Sequence, residues 1–263
     1  MNFETLLVEV SDSIGRLTLN RPERLNAMSS TMLRELAEAA RWFDSQPEVR
    51  VVIVRGAGRA FSAGADLNDS SRNPADDSWL VRRAAAQAGS RMMDAIEAMK
   101  ATTIACVHGY AVGGAVLLMA ACDLRVAADG AVFSIPEVEL GIPLAWGGIP
   151  RLVREIGPAM TKELVITCRR FTPQEAKAMG FVNRVVAQDE LDQETMTLAE
   201  QITAMPAVPV AITKEHVNAV TRAMAGGSSY ADGDALLSAF SSPESVEARR
   251  AYVERRLKRK EKK

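Results

Sequence analysis

Apolar and polar residues along this chain change their period several times, and each change marks an element. Leu6 to Val10 and Ile14 to Leu19 read as two strands joined by the turn Ser11-Asp12-Ser13. Leu33, Leu36, Ala40 and Phe43 then recur at helical spacing, and Ser29 or Ser30 can cap that helix. Val49 to Val54 reads as a strand, its run Val51-Val52-Ile53-Val54 being of the kind a strand buried on both faces shows. Residues 68 to 78 read as loop, Trp79 to Met99 as one long helix, and the stretch around Ile104 as a further strand. Strands at Leu124 to Ala127 and Ala131 to Ile135 precede helices at Gly148 to Ile156 and Ala159 to Thr167. Thr172-Pro173-Gln174-Glu175 combines a cap, a proline at the first helical position and an acid at the third, and Gly180 stops that helix. Phe181 to Val186 returns as a strand. From Leu191 on the pattern is helical, with breaks expected at Pro206, Pro209 and Gly226-Gly227.

The β-β-α rhythm of the first part recurs without a fixed-period repeat. It gives an α/β core over residues 1–200 and a helical C-terminal region over 201–263.

Two small-residue turns, each following a strand, change this picture from architecture to chemistry. The first is Phe61-Ser62-Ala63-Gly64-Ala65-Asp66, and the second is Gly109-Tyr110-Ala111-Val112-Gly113-Gly114, which opens the apolar helix Ala115 to Ala121. Small residues let backbone amides approach a ligand atom closely. Two such turns can aim two N–H donors at one oxygen, as stabilisation of an enolate requires.

Composition narrows the alternatives. With 263 residues, 48% hydrophobic, 25% charged and a net charge of -1, the chain is of ordinary globular type and offers no general basis for binding nucleic acid. Three widely spaced cysteines suit a reducing compartment, and no signal peptide or apolar run of membrane-spanning length is read, so a cytoplasmic protein is expected. Gly56-Ala57-Gly58 lacks the third glycine of a dinucleotide fingerprint, and Ala115-Val116 stand where a P-loop needs Lys-Ser/Thr. His108 and His216 have no metal-ligand spacing, and His108 reads as a packed histidine at a strand end. No metal is expected.

Carboxylate chemistry is left. Glu137, in Ile135-Pro136-Glu137-Val138-Glu139-Leu140, sits among apolar residues that would raise its pKa towards that of a useful base. A solvated turn acid is the competing reading, and it is the one adopted for Glu139.

Taken in order, Asn20-Arg21-Pro22-Glu23-Arg24-Leu25-Asn26-Ala27, the Ala-Gly-Ala-Asp turn, Gly109 to Gly114, Pro136-Glu137 and Thr172 to Phe181 resemble the enoyl-CoA hydratase/isomerase (crotonase) superfamily over almost the whole chain. That resemblance implies a crotonase-like spiral of β-β-α units and a thioester oxygen held by the amides of Ala65 and Gly114. It also implies that Arg24, Leu25, Ala63, Asp66 and Leu67 line the coenzyme A moiety. From the C-terminal helix, often that of a neighbouring subunit, Tyr252 would meet the adenine and Arg255 a phosphate, with the rest of Arg249 to Lys263 solvated. Coenzyme A enters as part of the substrate rather than as a cofactor. A homotrimer or dimer of trimers, built on the helical region, is expected.

The family's hydratases use two glutamates. The second falls at Glu137, but the first falls at Leu117, and an aspartate used by other members falls at Ala145. One carboxylate suffices to move a proton from C2 to C4, so the reading is an enoyl-CoA isomerase acting through Glu137. The alternatives are an enoyl-CoA hydratase and a non-catalytic acyl-CoA binder. Trp146 is read equally as a wall of the acyl pocket or as core filling.

Overall fold

The computed structural model describes residues 1–69, 78–225 and 229–260. Its backbone is a six-stranded sheet in the order β1-β2-β3-β4-β6-β8. β1 (Leu6–Ser11) and β2 (Ile14–Leu19) form an antiparallel hairpin, with Asp12 left-handed at φ 53°. β3 (Val51–Gly56), β4 (Thr102–Val107), β6 (Leu124–Ala128) and β8 (Arg184–Val186) then add in parallel.

The central strands are apolar on both faces because both faces are covered. Val52, Val54, Ala105 and Val107 join the main core, which α1 (Ser30–Asp44), α3 (Ala88–Glu97) and α4 (Gly114–Ala121) complete. Val51, Ile53, Ile104 and Cys106 point the other way, onto Leu191, Leu198 and Ala199 of α7 (Leu191–Thr203). α7 is continuous across residue 200, so the expected boundary there falls inside an element that belongs to the sheet.

Local signals are met where their chemistry is local. Ser29 caps α1, its Oγ accepting from the Met32 amide at 3.3 Å, and Thr172 caps α6 (Pro173–Ala178) by accepting from the Glu175 amide at 3.2 Å. The helical run after the second turn, α4, is buried at all eight residues, as its uniformly apolar sequence demands. α5 (Gly148–Thr167) bends where Gly157 leaves the helical region ahead of Pro158, at the expected interruption.

Three expectations are corrected. The long helix from Trp79 is two, α2 (Trp79–Ala86) and α3, separated at Gln87. Each answers a different neighbour: α3 packs on α1 and α4, whereas Arg83 of α2 pairs with Asp234 of α9 (Asp232–Ser241) at 2.5 Å. Pro209 does not break α8 (Ala207–Ala225), because it lies in the first turn, where a missing amide costs no helical hydrogen bond. The second small-residue turn also contains a strand, β5 (Tyr110–Val112), paired in parallel with β7 (Val132–Ser134). Gly226-Gly227 and most of the 68–78 loop lie outside the described residues.

Beside the main sheet, β5 and β7 organise a second layer of short pairings. Bridges join Met28 to Ala65, Ser62 to Ala111 and Phe133 to Phe171. Five separate stretches of chain are thereby aligned side by side, and this layer carries the site.

Candidate functional site

The two turns meet through backbone. The Ser62 amide donates to the Tyr110 carbonyl at 3.0 Å, and the Val112 amide donates to the Ser62 carbonyl at 3.2 Å. Gly64, at φ +80°, lies so close to β5 that a Cβ there would stand 2.1 Å from the Val112 oxygen and 3.3 Å from the Gly114 nitrogen. Only glycine permits that approach. Met28 and Asp66 complete the alignment, the Met28 amide donating to the Gly64 carbonyl and the Asp66 amide to the Met28 carbonyl.

Ala65 and Gly114 both face a cavity of about 230 Å³, and among the described residues neither amide has a protein acceptor. The Gly114 amide also opens α4, whose N-terminal partial positive charge adds to the donor. Two unpaired amides on one wall can stabilise negative charge developing on a single oxygen.

Glu137 stands on the same wall. A Cβ on Gly113, at φ +55°, would come within 2.4 Å of Glu137 Oε1, so the carboxyl rests directly against the turn that presents Gly114. Its Oε2 is buried without a hydrogen-bond partner. Burial pushes the Glu137 carboxyl up to about 7, opposed in part by its own backbone amide. Such a carboxyl exchanges its proton readily near neutrality.

Two other carboxylates line the cavity, and both are occupied. Asp66, expected among the coenzyme-contacting residues, lines the cavity, pairs with Arg21 at 2.8 Å and accepts from the Asn68 amide at 3.1 Å. Asp69 accepts from the Ser30 amide at 2.6 Å. Leu117 and Ala145 also line the wall as buried apolar residues.

The remaining sequence-derived residues distribute unevenly. Leu67 lines the cavity and is exposed. Leu25 and Ala63 are joined where the Ala63 amide donates to the Leu25 carbonyl at 2.8 Å, and Arg24 is exposed on the short 3-10 helix Pro22–Arg24. From α10 (Pro243–Lys260) the wall takes Arg249 and Val253 rather than Tyr252 and Arg255. Arg255 pairs with Glu139 at 2.9 Å within the chain. Leu236 and Phe240 of α9 face the cavity as well. Trp146, left open in the sequence, both packs in the core and walls the cavity, its ring filling the space that side chains at Gly89 and Gly114 would need.

His108 is buried, with Nε2 2.9 Å from the Gly58 carbonyl oxygen. Among the described residues no group of three His, Cys, Asp or Glu side chains could hold a metal, and no helix is long and apolar enough to cross a membrane.

The motif Asn20 to Ala27 has a purpose its sequence did not disclose. Asn26, fully buried at φ 53°, donates through Nδ2 to the carbonyls of Ala57 and Ala60, each at 2.8 Å, and accepts from the Arg21 amide at 2.9 Å. Ser62 Oγ donates to the Asn26 carbonyl at 2.7 Å. These bonds staple the first loop to the turn that presents Ala65.

The sequence model of the enoyl-CoA hydratase/isomerase family matches residues 9–262. A probable enoyl-CoA hydratase of Mycobacterium bovis is 36% identical over 257 residues, 97% of each chain. A crotonyl-CoA hydratase of Syntrophomonas wolfei is 32% identical over 257 residues, again 97% of each. The crystal structure of an enoyl-CoA hydratase from Mycobacterium avium subsp. paratuberculosis superposes with a TM-score of 0.86 at 28% identity, covering 97% of both chains. Crotonase-type architecture, the two aligned turns and these relatives agree: the chain belongs to the enoyl-CoA hydratase/isomerase family and is an enzyme of that type.

Proposed function

We propose that this enzyme is an enoyl-CoA isomerase, which moves the double bond of a 3-enoyl-CoA into conjugation with the thioester. The observation that carries the reading is Glu137. Among the described residues it is the one cavity carboxyl with a buried oxygen left unpartnered, and Leu117 and Ala145 in the same lining supply no second proton carrier. As carboxylate it takes the C2 proton. The amides of Ala65 and Gly114 hold the resulting dienolate oxygen, and the protonated Glu137 returns the proton at C4. Syn addition of water would need a further group to activate or protonate, and none of the cavity residues is placed for it.

The test is to supply a 3-enoyl-CoA and, separately, a 2-enoyl-CoA, and to follow the conjugated-thioester absorbance. Conjugation should appear from the first, with little loss from the second. Rapid loss from the 2-enoyl ester would establish hydration and overturn the reading. Because Glu137 must begin ionised, kcat/KM for isomerisation should fall about tenfold per unit as pH drops below about 7 and level off above it. A profile flat from pH 5 to 8 would remove Glu137 from the rate equation.

Self-association belongs to the same proposal. Val208, Ile212, Val217 and Val220 of α8 are each more than half exposed, apolar side chains that a homotrimer or dimer of trimers could cover. Light scattering at micromolar concentration should give about three or six times the chain mass, and a monomer would reject it.

A further inference from the structure

The cavity has a further polar lining group that the isomerisation does not use. Arg249 of α10 lines it with Nη2 buried and, among the described residues, without a hydrogen-bond partner. Its guanidinium lies over the Phe240 ring, 4.4 Å from the centroid, so the head group is held against an apolar surface rather than extended into water. Burial lowers the Arg249 pKa, and no carboxylate opposes that shift. Among the described residues, the other aspartates of the lining pair elsewhere: Asp66 with Arg21, and Asp69 with the Ser30 amide. Glu137 lines the same cavity without bonding to Arg249.

A buried guanidinium nitrogen without an acceptor is costly, and an apolar ligand would bury it further without relieving the cost. Much of the remaining lining is apolar, from Leu117, Leu140, Leu144, Trp146 and Leu236. A ligand that satisfied the whole cavity would have a thioester oxygen for the amides, a hydrocarbon part for this lining, and an anionic oxygen acceptor for Arg249. A plain fatty acyl chain supplies only the first two.

We infer that Arg249 selects acyl-CoA substrates whose acyl group ends in a carboxylate, which its guanidinium receives inside the cavity. This rests on the acyl-CoA reading above and adds the substrate class to it. A phosphate of coenzyme A is the other anion that could reach Arg249, and the measurement distinguishes the two sources.

Binding of butanoyl-, hexanoyl- and octanoyl-CoA, of the matching esters with a terminal carboxylate, and of free coenzyme A is measured by calorimetry. The proteins are wild type, Arg249→Met and Arg249→Lys. At one chain length or more, wild type should bind the carboxylate ester about tenfold tighter than its plain counterpart, the scale of a charge-assisted hydrogen bond. Arg249→Met should abolish that preference and leave plain esters and free coenzyme A within about threefold of wild type, while Arg249→Lys keeps part of it. Preference for plain esters at every length overturns the inference. So does an equal loss for free coenzyme A in Arg249→Met, which would place the guanidinium on a phosphate. If Arg249→Met does not fold, the wild-type selectivity and the lysine variant decide. Absence of binding by every ester would instead bring down the acyl-CoA reading itself, an outcome distinct from a lost carboxylate preference.

Discussion

Replacing Glu137 with Gln is expected to cut isomerase turnover by about 10²–10⁴-fold, the range a positioned acid/base contributes, while acyl-CoA affinity stays close to wild type. The same change is expected to stabilise the fold, which is unusual for a buried position. In the folded protein the carboxyl keeps its proton up to about pH 7, against 4.5 for an unperturbed glutamate, because burial disfavours the charge. The native state therefore binds more protons than the unfolded state between those values, and stability falls as pH rises through that window. Above pH 7 the full cost, on the order of 3 kcal/mol, is present. A neutral amide removes this cost. Urea denaturation at pH 8 should place the Glu137→Gln midpoint above that of wild type, and the gap should close near pH 4.5. Wild-type turnover in the variant would mean that the base lies elsewhere. A variant less stable at every pH would mean that the carboxyl has a structural partner.

The second large effect concerns Arg125, on β6 behind the site. Its guanidinium is buried, pairs with Glu155 at 2.6 Å, and donates through Nη1 to the carbonyls of Cys122 at 2.9 Å and Met119 at 3.1 Å and through Nε to that of Phe181. Met119 and Cys122 end α4, so the arginine caps that helix with donors and with a charge that suits its C-terminus. Arg125→Met would strip the guanidinium donors from these carbonyls, leaving Met119 only the Cys122 amide at 3.2 Å. It would also take from Glu155 one of its two cations, the other being Arg154 at 2.9 Å. The loss should be about 3–5 kcal/mol in urea titration. Arg125→Lys should recover little of it, since one ammonium cannot reach the same set of acceptors. A loss below about 1 kcal/mol would show that water or a rearranged α4 satisfies those carbonyls.

How much of this was legible beforehand depended on the range of the interaction involved. The β1-β2 hairpin, the Ser29 and Thr172 caps, the stop at Gly180 and the small-residue turns are set by residues within a few positions of each other. Glu137 was visible because a proline and apolar neighbours surround it in sequence as well as in space. The break at Gln87 was not visible, since it comes from α2 and α3 serving different neighbours. β5 hid inside the glycine-rich turn because its partner, β7, lies some twenty residues further on. Pro209 misled because its effect depends on distance from the helix start. The acyl wall was the least legible part. Leu236, Phe240 and Arg249 reach it from helices more than a hundred residues beyond Gly114, and a basic helix end looks the same in sequence whether or not one of its arginines turns inward.

The cavity is thus built from two unequal sources. The amides and Glu137 hang on a mesh of backbone hydrogen bonds, where a single Cβ at Gly64 would collide with main chain. Other lining side chains come from α2, α9 and α10; Arg83 to Asp234 joins α2 to α9, and the Gly147 amide to Asp232 at 2.7 Å joins α9 to the rest. Substitutions among them can exchange one acyl group for another at little cost to the reacting end. In heredity, the scaffold lets substrate choice drift while the chemistry stays fixed. A lineage descended from this chain would be expected to vary first at Ala85, Leu236, Phe240 and Arg249, and last at Gly64 and Gly113.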